Sequence, residues 1–438
     1  MPVIRNATLA DGRTADVRVD GERIDAVGDQ LSGETLVDAA GKLLLPGMID
    51  VHVHFREPGF EHKETWASGS RSAAAGGVTT VVDQPNTDPP TVTGGAFDEK
   101  RECAADSLVD WGINGGVTED WDPDSLFDRP VFALGEVFLA DSTGDMGIDA
   151  DLFREACERA AEQGEAADGA TGGAGSRAAG EDVVVTVHAE DADLFDPDAK
   201  ARDDADAWSV YRTPEAERAA IERAVEVAEA AGAALHVAHT STPEGVDAAR
   251  AGGATCEVTP HHLFLSRDDL ADLGTLGRMN PPLRSEQRRD AVFDRLVDGR
   301  VDVVATDHAP HTRAEKDASI WDAPSGVPGV ETALPLLLNA AREGRLSYER
   351  VRDVTAANPA RIFGLARKGR VEAGRDADLV LVDPENPSEI RGEDLHSNCE
   401  WTPFEGRRGV FPEWTMVRGT VVWDGESFRD HDGENVRG

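Results

Sequence analysis

Gly47-Met48-Ile49-Asp50-Val51-His52-Val53-His54-Phe55-Arg56-Glu57-Pro58-Gly59 reads as an apolar strand that ends in two imidazoles. Side chains alternate faces along a strand, so His52 and His54 point the same way, as two ligands of one metal ion must. Arg56, two residues on, falls beside that ion. Its guanidinium fork suits a carboxylate, which it can grip through two parallel hydrogen bonds.

Outward from this stretch, strand-like apolar runs alternate with segments of helical period. Strands are expected near 47–53, 78–83, 109–117, 130–139, 182–188, 234–239, 255–259 and 301–306. Helices near 215–231 and 285–298 repeat apolar residues every three or four positions. Eight strands with intervening helices predict an α/β fold, a (β/α)8 TIM barrel over 48–370; a doubly wound open sheet is the alternative. Residues 1–47 differ in character, with β-type runs at 2–9, 16–19 and 23–27 separated by Asp-Gly and Gly turns. Residues 371–383 and 416–424 resemble them, so 1–47 and 371–438 are expected to form one small β-domain from both chain ends. One insertion, 164–180, holds almost only Gly, Ala, Ser, Asp and Glu and reads as a flexible surface loop without a catalytic role.

The composition narrows the partners. Asp and Glu number 84 against 44 Lys and Arg, a formal charge of −40, which excludes a polyphosphate-binding surface and so nucleic acid. Only six residues are lysine, at positions 42, 63, 100, 200, 316 and 368. An acidic, lysine-poor surface suits a halophilic protein, because self-repulsion is screened where the Debye length falls to about 3 Å in 1 M salt. An ordinary acidic cytosolic protein is the alternative. Cys103, Cys157, Cys256 and Cys399 have no Cys-x-x-Cys spacing and suggest neither a disulfide framework nor a thiolate metal site. No signal-peptide pattern and no apolar run of about 20 residues is present, which predicts a soluble cytoplasmic protein without membrane contact.

Polar residues gather at the carboxyl ends of the expected strands, the face where barrels of this kind carry their active sites. His52 and His54 end the first, Asn86 follows the second, His188 ends the fifth, His239 the sixth and Asp307 the eighth. Imidazoles from three strands with a carboxylate from a fourth could surround one or two divalent metals.

The ordered stretches 50–59, Gln84-Pro85-Asn86-Thr87, His236-Val237-Ala238-His239-Thr240-Ser241-Thr242, 258–265 and Ala305-Thr306-Asp307-His308-Ala309-Pro310-His311-Thr312 carry a resemblance that spans essentially the whole chain. The chain resembles the cyclic amidohydrolases of the amidohydrolase superfamily, and among them the class I dihydroorotase family. That resemblance implies a metal-dependent hydrolase with two divalent ions, taken as Zn2+, in which His52 and His54 hold one ion and His188 and His239 the other. Asp307 would ligate the first and act as the catalytic proton carrier. The family's bridging group is often a carbamylated lysine on strand four, and here no lysine lies between Lys100 and Lys200. Glu136 falls in its place and is the favoured bridge, with Asp141 the competing candidate. Arg56, Asn86 and His311 occupy the family's positions for a substrate carboxylate, and Asn280 could reach the substrate ring.

The implied reaction is the reversible cyclisation of N-carbamoyl-L-aspartate to L-dihydroorotate and water in de novo pyrimidine biosynthesis. Allantoinase or hydantoinase (dihydropyrimidinase) chemistry and a non-catalytic scaffold are the alternatives, and a homodimer is the default assembly. Asn86 could instead only stabilise the turn after Pro85. His236 is expected to face away from His239, His261 and His262 to be either orienting or structural, and His308 to be structural. His62, Lys63 and Trp66 are assigned to the helix after the first loop. Loop 141–147 could close over substrate.

Overall fold

The computed structural model describes residues 1–140, 146–169 and 183–438. Eight parallel strands carry the fold: β1 (Met48–Val53), β2 (Val78–Asp83), β3 (Asp110–Ile113), β4 (Leu134–Phe138), β5 (Val185–His188), β6 (Leu235–Val237), β7 (Thr255–Val258) and β8 (Val303–Val304). Neighbours pair in order from β1 to β3 and from β4 to β8. Parallel bridges from Gly115 to Leu134 and from Val53 to His308 join the two sets at both seams. The ring is therefore a (β/α)8 barrel, not an open sheet.

Burial on both faces explains why the strands are rich in β-branched residues. Every residue of β2, Val-Thr-Thr-Val-Val-Asp, is buried, and its β-branched side chains fit a crowded pleated surface. At the β1–β8 seam the buried Asp50 carboxylate accepts hydrogen bonds from Thr306 N at 3.0 Å and Thr306 Oγ1 at 2.6 Å, and His54 N donates to His308 O at 2.8 Å. These bonds set the strand ends that carry His54 and Asp307 side by side.

The outer helices follow local signals. Helix Pro214–Ala231 starts at Thr213, whose hydroxyl accepts from Ala216 N, with proline in its first turn and Glu215 and Glu217 near its positive end. It stops at Gly232, whose φ of 72° suits glycine. Ala216, Ala220, Ile221, Ala224, Val225 and Ala228 form its buried face. The helix Ala150–Gly169 runs through the first residues of the expected 164–180 loop, so that segment begins as helix; its remainder lies outside the described residues.

Both chain ends meet in one eight-stranded sheet. Leu43–Pro46 runs antiparallel to Leu379–Val382, with Leu43 opposite Val382 and Pro46 opposite Leu379. Ile4, Val17, Leu44, Leu379, Leu381 and Met416 build the core on one side of it. Strands Glu34–Asp38 and Leu43–Pro46 had no separate sequence signal. The last residues leave this sheet for the barrel: Trp111 N donates to Glu434 O, and Val436 N donates to Trp111 O, both at 2.9 Å.

Candidate active site

The carboxyl ends of five strands deliver six buried side chains to one place. His52 lies on β1 and His54 one residue past it, Glu136 lies on β4, His188 ends β5, His239 is two residues past β6 and Asp307 three past β8. Arg56, His239 and Asp307 have φ of 67°, 28° and 46°. Non-glycine residues seldom adopt such values, and each costs about 1–3 kcal/mol that surrounding contacts must offset.

Glu136 sits at the centre. Its Oε1 lies 3.0 Å from His188 Nδ1 and also touches His239 Nε2, while its Oε2 lies 3.4 Å from His52 Nε2. Each oxygen thus addresses a different group of histidines. Two sets could hold a metal ion, His52 with His54 and Glu136, and Glu136 with His188 and His239. Asp307 Oδ1 is 3.0 Å from His54 Nε2 and 3.6 Å from His52 Nε2, which adds a carboxylate to the first set. Asp141 lies outside the described residues.

The donor atoms fit cations on structural grounds. His52 Nε2 is buried among them without a hydrogen-bond partner among the described residues, a costly state for a polar atom. His188 Nδ1 and His239 Nε2 converge to 3.1 Å beside one carboxylate oxygen. A divalent ion would satisfy both arrangements, because imidazole and carboxylate donors suit such ions. Electrostatics agree. Burial alone would raise the Glu136 carboxyl, but His239, His52 and His188 outweigh it and hold it well below its usual range. Burial would likewise lower His188, but Glu136 and Glu190 raise it to about 9.

Outside the cluster, each imidazole's other nitrogen is held with one exception. His52 Nδ1 is 2.6 Å from Glu257 Oε1, His54 Nδ1 is 2.7 Å from Asn86 Oδ1, and His188 Nε2 is 2.9 Å from Glu190 Oε2. Arg212 pairs with Glu190 at 2.6 Å. The exception is His239 Nδ1, which is buried without a partner among the described residues.

Arg56, Asn86, Asn280, Ser325 and Gly326 line a cleft over the cluster. Arg56 is buried, donates through Nε to Pro310 O at 3.3 Å and has Nη2 at 3.2 Å from His311 Nε2. Among the described residues no carboxylate forms an ion pair with it. Burial pulls its pKa down to about 10, so it stays charged at neutral pH. His311 packs behind Arg56, with Nε2 also 3.0 Å from Ser325 O and Nδ1 3.3 Å from Lys63 Nζ. Burial and the cations Arg56, Lys63 and Lys316 push His311 well below its usual pKa and keep it neutral. Asn280 Oδ1 accepts from Trp208 Nε1 at 2.9 Å and Ser325 Oγ at 3.2 Å.

Other expectations change. His236 does not face away: its Nε2 lies 3.2 Å from Glu257 Oε2, because the backbone turn at His239 breaks the alternation counted from that residue. His62 and Lys63 precede the helix Trp66–Ala75 instead of belonging to it. His262 is structural, with Nε2 3.0 Å from Pro281 O and Nδ1 2.9 Å from Thr259 Oγ1. His308 Nδ1 accepts from Gly329 N and Val330 N, in keeping with a structural role. Glu190 and Glu257 were not singled out in the sequence. A glutamate within the buried β7, or two residues past a strand-end histidine, is the signal that could have found them.

The family model for the amidohydrolase family matches residues 43–422. The chain belongs to the amidohydrolase family. This amidohydrolase is 75% identical over 439 residues to the dihydroorotase of Halobacterium salinarum, covering 100% of both chains. It is 42% identical over 442 residues to the dihydroorotase of Methanosarcina acetivorans, covering 96% of this chain and 91% of that one. Among solved structures it is similar to the L-hydantoinase (dihydropyrimidinase) of Arthrobacter aurescens, with a TM-score of 0.90, 29% identity and coverage of 99% and 98%. No helix among the described residues is long and apolar enough to cross a membrane.

Proposed function

We propose that this amidohydrolase is a dihydroorotase, which interconverts N-carbamoyl-L-aspartate and L-dihydroorotate plus water in pyrimidine biosynthesis. The observation that carries the substrate is Arg56, a buried guanidinium in the cleft without a carboxylate partner among the described residues. A ring carboxylate supplies that partner, whereas an uncharged hydantoin leaves the cation buried and unpaired. The 75% identity to a dihydroorotase supports the same choice over the hydantoinases that share the fold.

His52, His54, Glu136 and Asp307 would hold one divalent cation and Glu136, His188 and His239 a second, with zinc as the assigned metal. Bound there, the cations would supply Lewis acidity, easing deprotonation of water toward a pKa of ~7 and polarising a ring amide carbonyl. Asp307 lies against His54 and His52, where it takes the proton of the attacking water and passes it to the leaving ring nitrogen. In the synthetic direction Asp307 takes the proton of the attacking ureido nitrogen and delivers it to the departing hydroxyl, which leaves as water as the ring closes. Arg56 and Asn86, with His311 behind, hold the substrate carboxylate, and Asn280 faces the ring. The enzyme acts in the cytoplasm on a small molecule, as a homodimer by the usual preference for twofold symmetry, and its charge of −40 fits a concentrated-salt interior.

Arg56→Met tests the substrate. Truncating one partner of a buried charge pair costs about 2–5 kcal/mol, so KM for dihydroorotate should rise at least about 30-fold with bound metal unchanged. An unaltered KM would remove the carboxylate from this site.

A further inference from the structure

Glu257 touches both halves of the histidine cluster yet does not line the cleft. Its carboxylate is wholly buried on β7. Oε1 lies 2.6 Å from His52 Nδ1 and accepts the main-chain N–H of His239 at 3.2 Å. Oε2 lies 3.2 Å from His236 Nε2, and His236 Nδ1 reaches Thr255 Oγ1 at 2.8 Å. An ionised carboxylate only accepts hydrogen bonds, so the proton of His52 sits on Nδ1. The lone pair is then on Nε2, the atom aimed at Glu136 and Asp307 and without a hydrogen-bond partner among the described residues. The second contact acts on the other histidine set. His239 takes a left-handed φ of 28°, and the Glu257 bond to its N–H helps to hold that turn, which aims His239 Nε2 at Glu136.

We propose that Glu257 is a positioning residue that fixes the tautomer of His52 and the backbone of His239 together, and so sets cation affinity in both pockets through one carboxylate. The inference rests on the reading of the cluster as a cation centre. Outer carboxylates of this kind typically change metal affinity 10–100-fold, about the range expected here. His236, paired with the far oxygen, keeps the buried charge from standing alone.

The test is chelator competition for Zn2+ on the full chain, wild type against Glu257→Gln, with circular dichroism and thermal unfolding of the metal-free proteins as controls for folding. The amide is isosteric but carries no charge. Zn2+ affinity should fall about 10–100-fold while the fold is retained. Equal affinity in the two proteins would overturn the role of Glu257 and leave the cation centre standing. A wild type that binds no Zn2+ would overturn the centre itself. Should Glu257→Gln fail to fold, Glu257→Asp keeps the charge but withdraws it from His52 by one carbon; weakened binding supports the proposal, and unchanged binding overturns it.

Discussion

Replacing Glu136 by alanine removes the one side chain shared by both sets of donors. Its two oxygens address His188 and His239 on one side and His52 on the other. Structural zinc sites of four ligands bind with about 10–16 kcal/mol, or about 3 kcal/mol for each ligand, so the loss weakens each pocket about 100-fold. The consequences are unequal. The first pocket keeps His52, His54 and the nearby Asp307, whereas the second is left with His188 and His239 alone. Metal content after equilibration with Zn2+ and gel filtration, read by plasma emission, should fall from two ions per chain to one, and dihydroorotate turnover should be abolished. Glu136→Gln, which keeps the volume and avoids a cavity, should show the same stoichiometry. Two ions per chain with full activity would refute the bridging reasoning and move the bridge to another carboxylate, Asp141 first.

Asp307→Asn keeps the shape of the proposed proton carrier but not its basicity, and kcat in both directions should fall by about 10²–10⁴; a loss under tenfold would exclude Asp307 from that role. Glu315 caps the short helix after His311 through Thr312 N and Oγ1, both at 2.9 Å, and pairs with Lys63 at 3.1 Å. Burial would raise its pKa, but the Thr312 and Lys63 hydrogen bonds prevail and hold it at about 2. A depressed pKa means stability present above the unfolded value of 4.5 and lost as the pH falls toward 2. The urea midpoints of wild type and Glu315→Gln should therefore differ at neutral pH and converge at the acid end; a constant gap would contradict the assignment. Transfer from about 1 M KCl to dilute buffer should lower the thermal midpoint, since the −40 charge loses its screening, and an unchanged midpoint would end the salt-adaptation reading.

The barrel was legible because its strands are buried on both faces, which forces β-branched runs such as that at Val78–Asp83. The ligand candidates were legible for a related reason. A strand that ends in His-x-His, or a glutamate inside Leu134–Phe138, places polar atoms where burial requires a partner. Backbone exceptions were not legible. His236 and His239 both reach the barrel interior because the left-handed turn at His239 cancels simple alternation, and no residue type marks that turn. Glu257 was not legible for the complementary reason: its partners, the His239 N–H and His52, lie 18 and 205 residues away and meet it only once the ring closes. The short strands Glu34–Asp38 and Leu43–Pro46 are fixed by neighbours in the composite sheet more than by their own pattern.

The proposed selectivity for a carboxylated cyclic amide combines a cation centre with an Arg56 that has no carboxylate partner among the described residues. Its most direct test is kcat/KM for dihydroorotate against hydantoin and allantoin, measured in high KCl on wild-type protein with its metal content determined on the same sample. A metal-loaded enzyme should prefer dihydroorotate by at least about 30-fold, which corresponds to about 2 kcal/mol, the low end of the cost of leaving one buried charge without its partner. Comparable turnover of the three substrates, or no turnover with no metal bound, would contradict it.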